Sequence, residues 1–500
     1  MLTCCKATDC WKPARIYGWR YPTLLLCIFG FFSMMRPSEP FLTPYLVGPD
    51  KNLTIEQVTN EIFPVWTYSY LVMLFPVFLV TDYLRYKPII LLQGIGFFIT
   101  WLILLFAQGI LAMQFLEFTF GIVTATEVAY YSYIYSVVSS EHYQKVTSYC
   151  RSVTLVAYTL GSVLGQVLVS VGNVSYFYLI VISLASVSVA FLSSIALPMP
   201  KRSMFFHRKE EVDNIQVSPS TDDVKSRSEN INPQNNLDTT FSQSPVMLDG
   251  DVNGLVKATE HKGAIMILLQ LWSDFKECYS SPQIFYWSIW WALATCGYNQ
   301  IVNYIQVLWD HVEPSQNATV YNGGVEAVST FMGAVMSFAV GYVKLDWAIW
   351  GELALGIFSA VDSGALYAMD LSNNIWVCYA SYVVFKASYM LLITIATFQI
   401  AANLSMERYA LLFGVNTFVA LVLQTILTVI VVDSRGLGLD IITQFLIYGT
   451  YFAVIAGIFL IRGIYTLIQN GRKRKRQIGS EVINGNTIPS GNEKEIAEQF

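Results

Sequence analysis

Charged residues are scarce in this chain: only 13% of its 500 residues are Asp, Glu, Lys or Arg, whereas 54% are hydrophobic. Soluble globular proteins have about a quarter charged residues, so the composition excludes that class and indicates a polytopic membrane protein. The net charge of −5 says nothing about nucleic acid, because in a membrane protein the placement of basic residues matters more than their sum.

Residues for catalysis and metal binding are also few. The chain has four histidines, all in loops or at predicted helix ends, and none of its eight cysteines has Cys-x-x-Cys spacing. Neither Gly-x-Ser-x-Gly nor His-Glu-x-x-His is present. We therefore expect no enzyme, no metal and no cofactor.

Long apolar runs make up most of the chain. Windows of about 20 residues predict twelve transmembrane helices in an all-α membrane protein, six on each side of a polar segment. We place the helices at 21–47, 61–81, 88–108, 111–138, 144–171, 174–197, 281–309, 322–343, 346–370, 374–402, 408–433 and 441–467. The predicted parts are a cytosolic N-terminus (1–20), a six-helix bundle (21–197), a largely disordered cytosolic loop (198–280), a second bundle (281–467) and a disordered cytosolic tail (468–500).

Basic residues and glycosylation sequons fall on opposite sides of this twelve-helix arrangement. The basic clusters at 12–20, 201–209 and 472–476 share one side, which the positive-inside rule assigns to the cytosol. A sequon at Asn403 falls on that side and should not be glycosylated. The sequons on the other side, where glycans are added, are at Asn52, Asn173 and Asn317.

Two charges and two prolines interrupt the first predicted helix, in residues 31–41 (FFSMMRPSEPF). Arg36 and Glu39 lie in an apolar run, where charge is costly unless it faces protein or water. Pro37 and Pro40 lack a backbone N–H, so we predict a kink that frees carbonyl groups. The alternative is a simple Arg36–Glu39 ion pair that caps a helix near the membrane interface.

Polar and aromatic residues gather at one depth when the helices alternate in direction. An acidic, aromatic chamber at this level, open to the outside, would suit a cation. We expect the few intramembrane bases, Arg36, Arg151 and Lys386, to balance the glutamates, with Glu127 the favoured partner of one of them. The residues at the shared level are Glu39, Glu117, Glu326, Asn299, Asn303, Phe63, Trp66 and Trp101.

Two six-helix bundles joined by a cytosolic connector are typical of the major facilitator superfamily, in which the bundles rock around a midplane site. The turn at 82–87 (DYLRYK) resembles that superfamily's cytosolic hinge signature, although the usual glycines are missing. An ordinary charged loop is the alternative interpretation of this turn.

Motifs along the whole chain carry a closer family resemblance. They include residues 31–41, 45–54 (YLVGPDKNLT), 60–68 (NEIFPVWTY), 127–131 (EVAYY), 149–153 (YCRSV), 277–281 (ECYSS) and 391–395 (LLITI). Together they resemble the reduced-folate-carrier family, specifically its thiamine transporters. The resemblance runs through all twelve helices and fades only in the central loop and both tails.

The resemblance implies uptake of thiamine at the plasma membrane, with pyridoxine or drug-like organic cations as further candidate solutes. It implies that Glu117 holds the aminopyrimidine. Phe120 stands where the family has a tyrosine, which removes one hydrogen bond but leaves the stacking surface. The other implied pocket residues are Phe63, Trp66, Trp101 and Tyr158 around the rings, and Glu39, Asn303 and Glu326 in the polar shell.

Two alternatives stay open from the sequence. A carrier of folate or another organic anion would share the fold, but it would need a cationic cavity rather than an acidic one. A receptor or scaffold would bind the solute without accumulating it.

Overall fold

The computed structural model describes residues 19–138, 142–200, 275–315, 320–340, 347–401 and 406–483, with 269 and 272–273 between them. The predicted central loop and the sequons at Asn317 and Asn403 lie largely or wholly outside these ranges. The first half contains α1 (Arg20–Met34), α2 (Leu42–Val47), α3 (Phe63–Tyr83), α4 (Lys87–Phe106), α5 (Ile110–Val137), α6 (Tyr143–Ser170) and α7 (Tyr176–Ala196). The second half contains α8 (Pro282–Val312), α9 (Asn322–Val340), α10 (Trp347–Leu371), α11 (Ile375–Ala401), α12 (Met406–Leu427) and α13 (Ile441–Ile483).

The helices confirm the predicted all-α membrane architecture. Ten of those in the described ranges are long and apolar enough to cross a bilayer. The two remaining predicted crossings are the broken segment α1–α2 and α8, whose amide side chains, including Gln300 and Gln306, lower its hydropathy. Large apolar side chains such as Leu111 and Ile461 are exposed on the outside, as expected for residues that face lipid. The last helix continues beyond residue 467, where the sequence predicted its end.

The predicted kink is a complete break between α1 and α2. Helix α1 ends at Met34, and a short 3₁₀ turn at Glu39–Phe41 precedes α2. Pro37 cannot continue the backbone hydrogen bonding of α1. The Ser38 backbone N–H and hydroxyl instead approach the Ser183 hydroxyl at 3.1 and 2.9 Å. The broken segment is therefore held by a neighbouring helix as well as by short-range backbone bonds of its own, such as that from Glu39 N–H to the Arg36 carbonyl at 3.2 Å.

Several hydrogen bonds join the two halves at the end of the molecule that carries residues 48–54, here named the first-loop end. The Tyr68 hydroxyl donates to Asp433 Oδ2 at 2.5 Å, and the Gln306 side-chain amide donates to the Glu39 carbonyl at 3.0 Å. Gln166 Nε2 on α6 donates to the Val320 carbonyl at 2.8 Å. A solute that passes between the halves at this end must part these contacts.

Helices α10 and α13 approach each other closely through small residues. A β-carbon at Gly463 on α13 would lie 2.6 Å from the backbone N and Cα atoms of Leu353 on α10. Backbone atoms cannot rotate away as a flexible side chain can. The pair therefore requires glycine at this position.

Replacing Gly463 with alanine is expected to lower the free energy of unfolding by about 1–3 kcal/mol, because the added methyl group overpacks the contact. Thermal unfolding of the purified protein in detergent measures the effect. Gly457→Ala is the matched control: Gly457 lies on the same helix and has no neighbouring atom within 4 Å of an added β-carbon. Equal stability of the two variants would contradict this account of the contact.

Candidate functional site

A buried arginine lies against three aromatic rings at the break between α1 and α2. Arg36 is 7% exposed, and its Nη2 forms an ion pair with Glu39 Oε2 at 2.9 Å. Its guanidinium carbon is 5.2 Å from the ring centroid of Phe97, 5.3 Å from that of Trp101 and 5.8 Å from that of Phe120. We call these three rings the aromatic cage. The ion pair considered as an alternative from the sequence is present, but it lies in the protein interior.

The cage is fixed by contacts with helices on both sides. Trp101 Nε1 donates to the Ser38 hydroxyl at 3.2 Å, and Ser38 is itself held by Ser183. The rings of Trp101 and Phe120 meet edge to face at a centroid distance of 6.2 Å. The rings belong to the regular helices α4 and α5, and the hydrogen bond to Ser38 ties Trp101 to the broken segment that carries Arg36.

A second charged cluster lies in the other half, around Glu326 on α9. Lys386 Nζ contacts Glu326 Oε2 at 2.5 Å and the Thr330 hydroxyl at 3.1 Å. The hydroxyls of Tyr158 and Tyr382 donate to the same carboxylate at 3.0 and 2.8 Å. Tyr158 belongs to the first half, so this carboxylate joins the halves. Lys386 neutralises its charge, and three donors bind its two oxygens.

Glu117 differs from both of these glutamates. It is 5% exposed, yet within the described ranges its carboxylate takes part in no ion pair or hydrogen bond. Only its backbone carbonyl accepts a bond, from the Ser69 hydroxyl at 3.5 Å. Its charge interacts with the Tyr304 hydroxyl, and Phe120 lies on the same face of α5 three residues further on. An ionised carboxylate buried without a partner is costly, so this position favours a cation or a hydrogen-bond donor.

The remaining predicted site residues are Phe63 and Trp66 on α3 and Asn303 on α8. The ring of Phe63 packs against that of Tyr304 at a centroid distance of 6.0 Å. Trp66 Nε1 is fixed by the Thr124 hydroxyl at 3.1 Å. The Asn303 Nδ2 group is buried beside the Tyr304 hydroxyl. An amide nitrogen carries two N–H donors, so one of them is available to a solute.

The three carboxyl groups of the site outnumber its two cationic side chains. Glu39 lies close enough to interact electrostatically with both Glu326 and Lys386, so the two charged clusters face one central region. Arg36 neutralises Glu39 and Lys386 neutralises Glu326. Glu117 adds a carboxylate without a cationic partner.

The structure corrects the expected pairing of Glu127. This residue interacts at longer range with Arg36 and Arg151, but among the described residues it forms no ion pair. The guanidinium of Arg36 turns to Glu39 instead, three residues along its own chain, and Lys386 turns to the facing helix α9. Arg151 lies over the ring of Tyr131 at 5.7 Å.

Sequence reasoning missed several residues that complete these clusters. Phe97 lies four residues before Trp101 on α4, and Tyr382 lies four residues before Lys386 on α11. Side chains four apart share a helix face, so this spacing was the available signal. Within the described ranges no group of three or more His, Cys, Asp or Glu side chains is arranged to hold a metal ion. The site offers charge, hydrogen bonds and ring faces for binding.

Known proteins resemble this chain over nearly its full length. The model of the family described as reduced folate carrier matches residues 17–447. Thiamine transporter 2 from Macaca fascicularis is 59% identical over 491 residues, which cover 97% of this chain and 98% of the relative. Thiamine transporter 1 from Homo sapiens is 60% identical over 481 residues, which cover 93% and 94% of the two chains. These identities do not separate the two kinds of thiamine transporter.

Solved structures resemble the chain in fold alone. A bacterial homolog of the human lysosomal transporter Spinster, in an inward-facing and unoccupied conformation, superposes with a TM-score of 0.55. The match covers 92% of this chain and 98% of that structure at 13% sequence identity. It confirms the predicted major facilitator superfamily fold.

Proposed function

Because the chain belongs to the reduced folate carrier family, we propose that it takes up thiamine, an organic cation, across the plasma membrane by alternating access. The chain is a membrane carrier, not an enzyme. Relatives named thiamine transporters support the choice of solute. The proposal depends most on Glu117. This residue is buried among aromatic side chains, and its carboxyl group has no cationic partner among the described residues.

Thiamine matches the polar groups of this region. Its aminopyrimidine amine would donate to the Glu117 carboxylate, and an N–H of Asn303 Nδ2 would donate to a ring nitrogen or hydroxyl of the solute. Its flat, permanently charged thiazolium would lie against aromatic faces, each worth roughly 0.5–2 kcal/mol to a cation. The proposed pocket consists of Glu39, Phe63, Trp66, Trp101, Glu117, Phe120, Tyr158, Asn303 and Glu326. Pyridoxine and drug-like cations are candidates for the same pocket.

The contacts between the halves suggest how access alternates. In this conformation hydrogen bonds such as Tyr68–Asp433 close the first-loop end. Entry of the solute from that end would require them to break, after which binding would draw the halves together again.

We propose that the first-loop end faces outside and that both termini are cytosolic. Asn52 and Asn173 are exposed at this end, and both have positive φ angles of 55° and 47°, a conformation that asparagine tolerates in turns. The basic run at 472–476 follows the last membrane crossing at the other end.

Glycan mapping tests this orientation. In mammalian cells, Asn52→Gln and Asn173→Gln should each lower the apparent mass by one glycan, whereas Asn403→Gln should change nothing. Electrophoresis before and after enzymatic deglycosylation measures the shift. A glycan on Asn403 together with bare Asn52 and Asn173 would reverse the proposed orientation.

Competition for uptake tests the proposed solute. Cells that express the chain should take up labelled thiamine, and excess unlabelled thiamine should block that uptake while excess folate leaves it unchanged. Folate is a dianion, which the unbalanced Glu117 would repel. Uptake of labelled folate that thiamine fails to block would instead favour the anion carrier.

A further inference from the structure

We propose that Arg36 is a tethered competitor of the transported cation: its guanidinium fills the aromatic cage and must leave before a solute cation can enter it. This inference rests on the proposed function, because it concerns which cation binds in that site. It assigns Arg36 a role beyond the ion pair with Glu39.

The contacts of Arg36 are those of a bound cation. Its guanidinium lies between 5.2 and 5.8 Å from the centroids of all three cage rings, which is the range in which ring faces attract cations. Its Nε and Nη1 groups are buried and have no hydrogen-bond partner in the described ranges. Ring faces, rather than oxygen acceptors, therefore surround most of the guanidinium.

A buried structural ion pair predicts a different arrangement. Such pairs are favourable only when further hydrogen bonds satisfy the remaining donors. Lys386 meets this expectation, because its ammonium contacts both Glu326 and the Thr330 hydroxyl. Arg36 does not meet it, since only Nη2 has polar partners, in Glu39 and the Met34 sulfur.

The cage cannot hold two cations. Two like charges within about 6 Å repel each other strongly in a region of low dielectric constant, and one guanidinium already lies against all three rings. Arg36 is placed to leave, because it lies on the break between α1 and α2 while the rings belong to continuous helices. Glu39 is already bonded to the guanidinium at 2.9 Å and lies on the same broken segment, so the two residues can leave the cage as a pair.

The double variant Arg36→Gln/Glu39→Gln tests the proposal, because it removes the tethered cation without changing the net charge. Tetramethylammonium is the probe: it is a cation that fits ring faces and has no hydrogen-bond donor for Glu117. Titration followed by tryptophan fluorescence of the purified full chain should give a dissociation constant about tenfold lower for the variant than for the parent. Equal dissociation constants would overturn the proposal.

Further comparisons separate this claim from folding defects and from the proposed function. Arg36→Met/Glu39→Met should give the same gain, and apolar replacement of a buried ion pair is often tolerated. The neutral aminopyrimidine fragment of thiamine should bind parent and variants within about twofold of one another, because it does not enter the cage. If the variants bind both tetramethylammonium and the aminopyrimidine fragment more weakly than the parent does, Arg36 has a structural role instead. A parent that takes up no thiamine would defeat the proposed function, whereas the tetramethylammonium result would still decide the role of Arg36.

Discussion

Replacing Glu117 with glutamine is expected to lower thiamine uptake at subsaturating concentrations by about ten- to a hundredfold. The substitution keeps the shape of the side chain but removes the one site carboxylate that lacks a cationic partner among the described residues. A hydrogen bond to a charged group contributes roughly 1.5–3 kcal/mol, which corresponds to a factor of about ten to a hundred in binding. Initial rates of uptake, normalised to the amount of protein at the cell surface, measure the effect.

Glu61→Gln is the matched control for this prediction. Glu61 is exposed in the π-helical turn before α3, so the same chemical change there should leave uptake within about twofold of the parent. Glu117→Asp should retain more uptake than Glu117→Gln, because it keeps the charge. Normal uptake by Glu117→Gln would show that this carboxylate is not part of the binding site.

Replacing Lys386 with methionine is expected to destabilise the protein by roughly 3–5 kcal/mol, because it leaves a buried carboxylate without its cation. Glu326 and Lys386 are 3% and 4% exposed, and Lys386 is the only ion-pair partner of Glu326 within the described residues. We expect a lower unfolding temperature and less protein at the cell surface. Thermal unfolding monitored by size-exclusion chromatography measures the first effect, and surface biotinylation measures the second.

The double variant Lys386→Met/Glu326→Gln separates this loss of charge balance from a loss of packing. Glutamine retains an oxygen that can accept from the hydroxyls of Tyr158 and Tyr382, so most of the stability should return. If the double variant is as unstable as Lys386→Met, the neutralisation of Glu326 does not explain the effect. Unchanged stability and transport in Lys386→Met would show that the ion pair has no role.

The helices and the break in the first of them could be predicted from the sequence because both depend on local physics. Bilayer thickness fixes the length of an apolar run, and Pro37 lacks the N–H that would continue α1. The depth of Glu117 and Glu326, inferred from the alternation of helix direction, stays a prediction.

The partners of the charged residues depended on packing between distant segments. Glu326 and Lys386 lie on different helices, and nothing local indicated that Lys386 would turn to Glu326 rather than Glu127. The aromatic cage was missed for the same reason. Phe97 and Phe120 come from separate helices, and ring orientation depends on contacts such as Trp101 with Ser38. Arg36 was recognised as unusual, but its contact with the rings requires the fold.

Accumulation of labelled thiamine by liposomes containing the purified chain tests the central claim most directly. We expect time-dependent, saturable accumulation above that of protein-free liposomes, and a reduction of about tenfold or more when Glu117→Gln is reconstituted at the same density. Binding of thiamine without accumulation would indicate a receptor. Equal accumulation by the parent and Glu117→Gln would contradict transport through this site.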